Sequence, residues 1–571
     1  MTYNDLERQS APEKPCLVST ERGFSVSYKG RFLYSKYAPE RAVLGMIDSV
    51  KILPGTLILA ASPVLWLGLD SLLKKLPEDC FVLAFEYDEA LHEFASEEFK
   101  KLHSKGLIPE NLALLPFKFN DYLVNILNGD YSSEICLPHI STFRRSIFME
   151  MSAGTWFHKD DYLKTASLAQ NAIASFWKNR ITLTRLGRLY SRNLFRNLAK
   201  LPKSIDFNDY AGKVEQPIFL FGAGESIEET LKHVPKSLIE KCFVLAVDAV
   251  VPALKAYGIR IDGVCAVEGQ LAIEKAYIGA DLEGVLLFAD MTSRVQVTRH
   301  SKNVCYFSSE FTDAFFLKNL SEKDFFPLQI PPLGSVGLTS IYIALKLRSN
   351  QNVPVIFSGL DFSFSLGRTH TKNVPAHIAR LCAAGRFLPI ENYAASFKNG
   401  AKRFLGKNGI ELFTDSALEN YAKSFVDAFQ NMPNLYDCGK QGFPLGVQQI
   451  SSETLSAYLN TVKSSGKTEI YESKYLKGDI KINQLRAYFE SEEKALNRIK
   501  ELLMYGKEVG GCSISVEDEL YALISKREYL FLHFPDGYKC NTKDLSFLKR
   551  VRGQIDFFLK DIKMGIKQLD C

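Results

Sequence analysis

The chain has 571 residues, 46 % of them apolar and 24 % charged, an ordinary globular usage that excludes a collagen, a disordered tail protein or a coiled-coil rod. At about 100–200 residues per domain, this length predicts roughly three or four units. Lys and Arg number 70 against 65 Asp and Glu, a net charge of +5, which is too little over so large a surface to demand nucleic acid or anionic lipid. Any anionic ligand has to be held locally.

Residues Met1 to Pro15 are polar, with Asp5, Glu7 and Glu13 and no apolar run behind them. They lack the layout of a secretory signal, so a cytoplasmic protein is expected. The longest apolar stretch, Leu57 to Leu69, is interrupted by Ser62 and Pro63 and is too short to span a bilayer, so it reads as a buried strand with its turn and no integral membrane segment is expected. Eleven cysteines are scattered from Cys16, Cys80, Cys136 and Cys242 to Cys571 without a C-x-x-C pair. They read as reduced thiols, with no metal site among them.

In chain order, Pro54 to Ala60 is an apolar strand, Leu65 to Lys75 an amphipathic helix and Cys80 to Phe85 a second strand. The same grammar returns as strand Ile218 to Phe221, turn Gly222-Ala223-Gly224, helix Ser226 to His233 and strand Cys242 to Ala246. An offset of 162 residues superposes Cys80-Phe81-Val82-Leu83-Ala84 on Cys242-Phe243-Val244-Leu245-Ala246 and sets Glu86 over Asp248. This predicts two Rossmann-like lobes, of which only the second carries the glycines. Between them, Tyr162 to Ile205 has no Asp or Glu, and Arg185, Arg188, Arg192 and Arg196 share one helical face. That face is either paired with acids of a neighbouring element or a contact for an acidic partner.

Apolar runs at Val264 to Val267, Val285 to Ala289, Val304 to Phe307 and Val353 to Ser358 then suit buried parallel strands of a doubly wound sheet. From Ser451 onward the period turns helical, over Ile480 to Tyr505, Val516 to Phe531 and Leu545 to Leu569. The fold class predicted is therefore α/β: an N-terminal Rossmann-like lobe (1–160), basic linking helices (161–205), a central nucleotide-binding domain (206–450) and a C-terminal helical bundle (451–571).

Three loops can carry chemistry. Gly222-Ala223-Gly224-Glu225-Ser226 follows a strand and opens a helix, so its amides can approach a phosphate, although Ile227 stands where a full dinucleotide fingerprint has glycine. It is either half a fingerprint or a structural turn. Gly334-Ser335-Val336-Gly337 also opens a helix, as an anion site or an ordinary Ser cap. The third loop, Gly359-Leu360-Asp361-Phe362-Ser363 with Gly367-Arg368-Thr369-His370, lies just past a buried strand, where open α/β sheets bind ligands. His370 suits a general base or is a plain loop histidine. Asp248, Glu268 and Asp290 sit at strand ends, where acids hold ribose hydroxyls or metal, or cap helices. No H-E-x-x-H, G-x-S-x-G, Walker A or kinase signature is present.

This ordered set of loops resembles the bacterial motility-associated factor (Maf) family of flagellin glycosyltransferases, with the match carried by Pro217 to about His377. The central region is similar to the 6-hydroxymethylpterin pyrophosphokinases of the MptE type and, in fold, to sialyltransferases that use CMP-activated sugars. The family usually shows Gly-x-Gly-Pro-Ser-Leu where this chain has Glu225 and Ile227, and its third-strand acid is here Glu268. The resemblance implies an inverting transferase that moves a nonulosonic acid of the pseudaminic or legionaminic type from its CMP ester to Ser or Thr of flagellin. Gly222, Gly224, Ser226, Gly334, Ser335 and Gly359 would then hold the nucleotide, Asp248 and Glu268 would orient the donor, and His370 and Asp361 would be catalytic. Apart from the CMP-sugar donor no cofactor or metal is assigned, and flagellin is the protein partner, docked by the C-terminal helices and the Arg185 to Arg196 helix. A Mg-dependent pterin pyrophosphokinase and a non-catalytic flagellin-binding scaffold are the alternatives.

Overall fold

The computed structural model describes residues 14–119, 123, 127, 137–326, 328–462, 478–505 and 514–570. The chain divides into two compact units, Met1–Leu183 and Thr184–Cys571, a boundary that falls inside one 40-residue helix, Lys159–Leu198.

In the first unit, β1 (Cys16–Thr20), β2 (Gly23–Tyr28) and β3 (Arg31–Phe32) form a small antiparallel sheet. The strands β4 (Thr56–Ala61), β5 (Phe81–Phe85), β6 (Leu112–Leu114) and β7 (Arg145–Glu150) form a parallel sheet in the order β6-β5-β4-β7. Every residue of β4 and β5 is buried, because both faces are covered. Ile58, Ala60, Val82 and Ala84 enter one core, while Leu57, Leu59, Phe81 and Leu83 enter the other. Continuous rather than alternating hydrophobicity is what such strands require. Helix Glu89–Ser104 starts where the Asp88 carboxylate accepts the amides of Ala90 and Leu91.

In the second unit the strands are β8 (Ile218–Phe221), β9 (Phe243–Val247), β10 (Gly263–Ala266), β11 (Leu286–Asp290), β12 (Asn303–Ser309), β13 (Gln329–Ile330) and β14 (Val355–Ser358). An antiparallel hairpin, β15 (Lys402–Leu405) and β16 (Glu411–Thr414), precedes β17 (Leu435–Asp437) and β18 (Gln448–Gln449). Apart from the hairpin these strands make one sheet, β13-β12-β11-β10-β9-β8-β14-β17-β18, in which each neighbouring pair is parallel. The chain walks outward from β8 to β13 and then restarts on the other side of β8 with β14. The strand order therefore reverses between β8 and β14, and open α/β sheets bind ligands at the carboxyl ends of such a pair.

The fold class read from the sequence is present: α/β, with parallel sheets and C-terminal helices. The 162-residue offset carries β5 onto β9 end for end, and each is the partner of the strand that opens its parallel sheet. Helix Ser226–His233 spans the residues expected, but the run expected over Val516 to Phe531 breaks after Ser525, with a separate 3₁₀ turn at Glu528–Leu530. The arginine stripe is an intramolecular contact rather than a docking face. Arg196 donates to the buried carboxylate of Asp561 at 2.7 Å, Arg192 lies 3.6 Å from it, and the Arg188 guanidinium covers the Phe557 ring at 3.8 Å. Cys80 and Cys242 are buried thiols and Cys16 an exposed one, whereas Cys136 and Cys571 lie outside the described residues. Among the described residues no helix is long and apolar enough to cross a membrane.

Candidate functional site

The switch point brings together the three loops singled out from the sequence. The Gly222 amide donates to the Ser358 carbonyl and the Gly224 amide to the Gly359 carbonyl, both at 2.8 Å. A Cβ on Gly222 would lie 2.2 Å from the Gly359 oxygen, and one on Gly359, whose φ is +82°, would lie 2.4 Å from a methyl of Ile227. A Cβ on Gly337 would meet Leu360 at 2.7 Å. These glycines are thus demanded by the approach of loop to loop, and Ile227 fills the place left between them.

Several residues expected to hold a phosphate are already engaged. Asp361 is buried and accepts the Ser226 amide at 2.9 Å and the Ser226 hydroxyl, which in turn accepts the Gly359 amide at 3.0 Å. Burial pushes the Asp361 carboxyl up to about 6, against the opposing pull of those donors. Asp361 therefore positions the loops, since both of its oxygens face Ser226. Ser335 caps helix Val336–Leu347 by accepting the Gly337 amide at 3.2 Å, while Gly334, with φ +72°, stays exposed. Its loop is the open one of the three.

Glu225 has a partner that the sequence did not disclose. Arg368 reaches Glu225 at 2.7 Å and Glu228 at 2.8 Å, Ser365 donates to Glu225 at 2.6 Å, and the Thr371 amide donates to the Ala223 carbonyl at 3.0 Å. The segment 365–372 is strapped over the glycine loop by these bonds. His370 lies on the strap with an exposed ring whose Nδ1 is 3.0 Å from the Thr369 hydroxyl. Desolvation by the surrounding chain lowers its protonation, and among the described residues no carboxylate orients it.

The acids at the neighbouring strand ends differ in what they have left to offer. Asp290, after β11, is saturated by the amides and hydroxyls of Thr292 and Ser309, at 2.5–2.9 Å. Glu268, after β10, is half-buried and accepts the Gln270 amide at 2.8 Å. Asp248, after β9, is 2 % exposed. Its Oδ1 accepts the Ala249 amide at 2.7 Å, but its Oδ2 makes no hydrogen bond among the described residues. Burial, reinforced by the charge of Glu268, pushes Asp248 up to about 7. The hydroxyl of Tyr277, held by stacking on His300 at 5.3 Å, is likewise buried and unbonded, and its ionisation is raised by burial and by Asp248. Two unsatisfied buried polar groups on one sheet edge are costly unless a ligand completes them.

The first unit provides the contrast. Glu86, the counterpart of Asp248, receives Ser62 Oγ at 2.5 Å, the amides of Tyr87 and Asp88 at 2.8 and 3.0 Å, and the Tyr162 hydroxyl. That crevice is closed by its own donors. Sequence reasoning also missed Lys407 and Asp437, a buried ion pair beside Asp361 in which the hairpin turn meets the end of β17. Two cavities, of about 450 Å³ at Tyr488 and about 430 Å³ at Pro217 and Pro354, lie away from this carboxyl edge.

Residues 192–367, which contain the switch point and every strand-end acid up to Asp361, match the family described as 6-hydroxymethylpterin diphosphokinase MptE-like. The core of the second unit is an MptE-like domain. A protein of Treponema pallidum (strain Nichols) that carries the description uncharacterized is 29 % identical over 572 residues, covering 97 % of this chain and 96 % of its own length. The Maf glycosyltransferase of Magnetospirillum magneticum AMB-1 shares the fold with a TM-score of 0.50 at 12 % identity, covering 98 % of this chain and 91 % of that one. The MptE-like domain thus lies in a chain whose fold is that of a Maf protein from end to end.

Proposed function

We propose that the chain is a glycosyltransferase that moves a nonulosonic acid from a CMP-activated donor to Ser or Thr hydroxyls of flagellin. The observation that carries this reading is Asp248, a buried carboxyl with one free oxygen on the carboxyl edge of a doubly wound sheet. The Maf-like fold and the MptE-like domain support it.

In such a transfer the bond from the anomeric carbon to the CMP phosphate breaks, positive charge develops on the sugar, and the acceptor hydroxyl attacks from the other face while losing its proton. A carboxyl poised near neutrality is suited to take that proton, and Asp248 has the free oxygen to do so. His370, exposed on the strap, is the second candidate base. The open loop at Gly334 and Ser335 offers the end of a 12-residue helix to the departing phosphate. Gly222, Gly224, Ser226, Gly359 and Asp361 fix the distance between the β8 and β14 loops, while Glu268 stands beside Asp248 to orient the donor.

A thermal-shift panel with CMP, UDP, NAD and ATP, each with and without Mg²⁺, tests the reading. A ligand at about 100 times its dissociation constant adds roughly 2.7 kcal/mol to the fold that binds it. CMP-selective stabilisation, followed by a mass increase of flagellin in the presence of a CMP-nonulosonate, is the expected result. The description of the MptE-like family favours one second reading, a pterin diphosphokinase, for which ATP with Mg²⁺ would be the stabilising ligand. Silence from every nucleotide would leave a scaffold.

A further inference from the structure

Residues 366–410 hold eight Lys and Arg against a single acid, Glu391, in a chain whose net charge is only +5. Ten of the 28 large apolar side chains exposed among the described residues fall in this same stretch. Helix Pro375–Ala383 buries none of its residues, and Ile378, Leu381, Leu388, Tyr393 and Phe397 are all at least 41 % exposed, with Phe387 at 91 %. Apolar patches of this density on a folded surface mark interaction sites.

The patch is built rather than loose. The Arg380 guanidinium donates to the carbonyls of Pro389, Ile390 and Glu391 at 2.5–2.9 Å, which fixes the loop that presents Phe387. Arg386 stands beside the Phe387 ring. Neither guanidinium meets a carboxylate among the described residues, so both keep their full charge around the apolar tip. Lys398 and Lys402, by contrast, are paired with Asp415 and Glu419.

The patch is also joined to the candidate site. The Asn392 amide donates to the Gly367 carbonyl at 2.6 Å, one residue from Arg368, which is held by Glu225 and Glu228 over the glycine loop. Helix Pro375–Ala383 further abuts the segment Leu271–Tyr277, which ends on the unbonded tyrosine.

We infer that this surface, centred on Leu381 and Phe387, docks the acceptor polypeptide through an apolar segment flanked by acidic side chains. The inference rests on the transferase reading above. Charge complementarity selects the occupant: a second copy of the chain would bring Arg380 and Arg386 against their own kind, whereas an acidic polypeptide neutralises them. Its place beside the crevice is where an acceptor hydroxyl must arrive. Aromatic and arginine anchors around an apolar centre are the composition of interface hot spots.

The test is the double variant L381D/F387D, whose two sites are exposed and leave the core untouched. Its half-saturating flagellin concentration in the transfer assay is expected to rise about tenfold or more. Its CMP-induced thermal shift and its acceptor-independent hydrolysis of the CMP-sugar are expected to match the wild type. Unchanged flagellin saturation would overturn the inference. So would loss, in the variant, of a wild-type dimer seen by light scattering, or of wild-type binding to vesicles of phosphatidylcholine and phosphatidylglycerol, with flagellin saturation unaffected. A wild type that neither binds CMP nor modifies flagellin would instead sink the transferase reading. In that case, flagellin captured by the wild type and not by the variant would still support the docking surface.

Discussion

Ser226 and Asp361, 135 residues apart in the chain, close on each other so that the carboxylate of the β14 loop sits on the first turn of the helix that follows β8. A helix N-terminus that could hold a phosphate holds an acid of the protein instead. Ser226→Ala removes one donor from a buried carboxylate and the acceptor of the Gly359 amide. It is expected to cost about 1–3 kcal/mol. Because the lost hydroxyl favours the ionised acid, the loss in urea midpoint is expected to be larger at pH 8, above the Asp361 value of about 6, than at pH 5. An equal loss at both pH values would show that Ser226 does not stabilise the carboxylate.

Asp248 makes stability and activity run in opposite directions with pH. Its folded value, about 7, lies above the ordinary 3.8, so between those values the folded chain holds a proton that the unfolded chain has released. Stability from this group is full below about pH 4 and falls as pH rises towards 7, by up to about 4 kcal/mol. Asp248→Asn is expected to flatten that slope in urea midpoints measured from pH 4 to 8. Transfer, if Asp248 is the base, rises through pH 7 as the carboxyl ionises, and the variant loses that limb together with about 100-fold or more in kcat. Retained turnover in Asp248→Asn with a collapse in His370→Ala would move the base to the strap.

How much of this was legible in the sequence depends on how local each signal is. Strands buried on both faces announce themselves as unbroken apolar runs, which is why β4, β5, β8 and β9 could be placed and the 162-residue repeat seen. The convergence of the loops at Gly222, Gly337 and Gly359 followed from the same strand-loop-helix grammar. Partners set by tertiary approach left no local trace. Glu225 looked misplaced beside a phosphate loop because Arg368 reaches it only once β14 lies beside β8. Lys407 reads as the exposed tip of a Gly-Lys-Asn-Gly turn, and only the fold turns it inward. The arginine face of helix Lys159–Leu198 had an open choice of partners, and Asp561 took it.

The glycines separate packing from conformation. A Cβ at position 224 would stand 2.6 Å from Asp361 Oδ2 and 2.7 Å from the Gly359 carbonyl, and neither atom can retreat without breaking the loop contact. At Gly334 the nearest atom is the Tyr421 ring at 3.4 Å, and the cost is that of a left-handed φ alone, about 1–2 kcal/mol. Gly334→Ala is therefore expected to yield folded protein with a Tm lower by a few degrees. Gly224→Ala is expected to lose considerably more, as read by thermal melts of the two purified variants. Equal melting temperatures would mean that the β8 and β14 loops are not packed as described.

Lys407 and Asp437 form a pair only 4 % and 3 % exposed, next to Asp361. Burial raises the Asp437 carboxyl and the lysine charge opposes that rise, so each member is held ionised by the other. Lys407→Met leaves a buried carboxylate whose remaining bond is the Gly439 amide at 2.9 Å, and its cost is expected to be about 3–5 kcal/mol. Asp437→Leu strands the ammonium and that amide together, at a similar cost. The double variant K407M/D437L removes both charges, so a buried pair that is chiefly a mutual compensation predicts recovery of most of either single loss. The unpaired Gly439 amide keeps the recovery incomplete. Urea unfolding of the four proteins closes the cycle: additive losses would make the two residues independent, whereas a double variant more stable than either single one assigns the coupling to the pair.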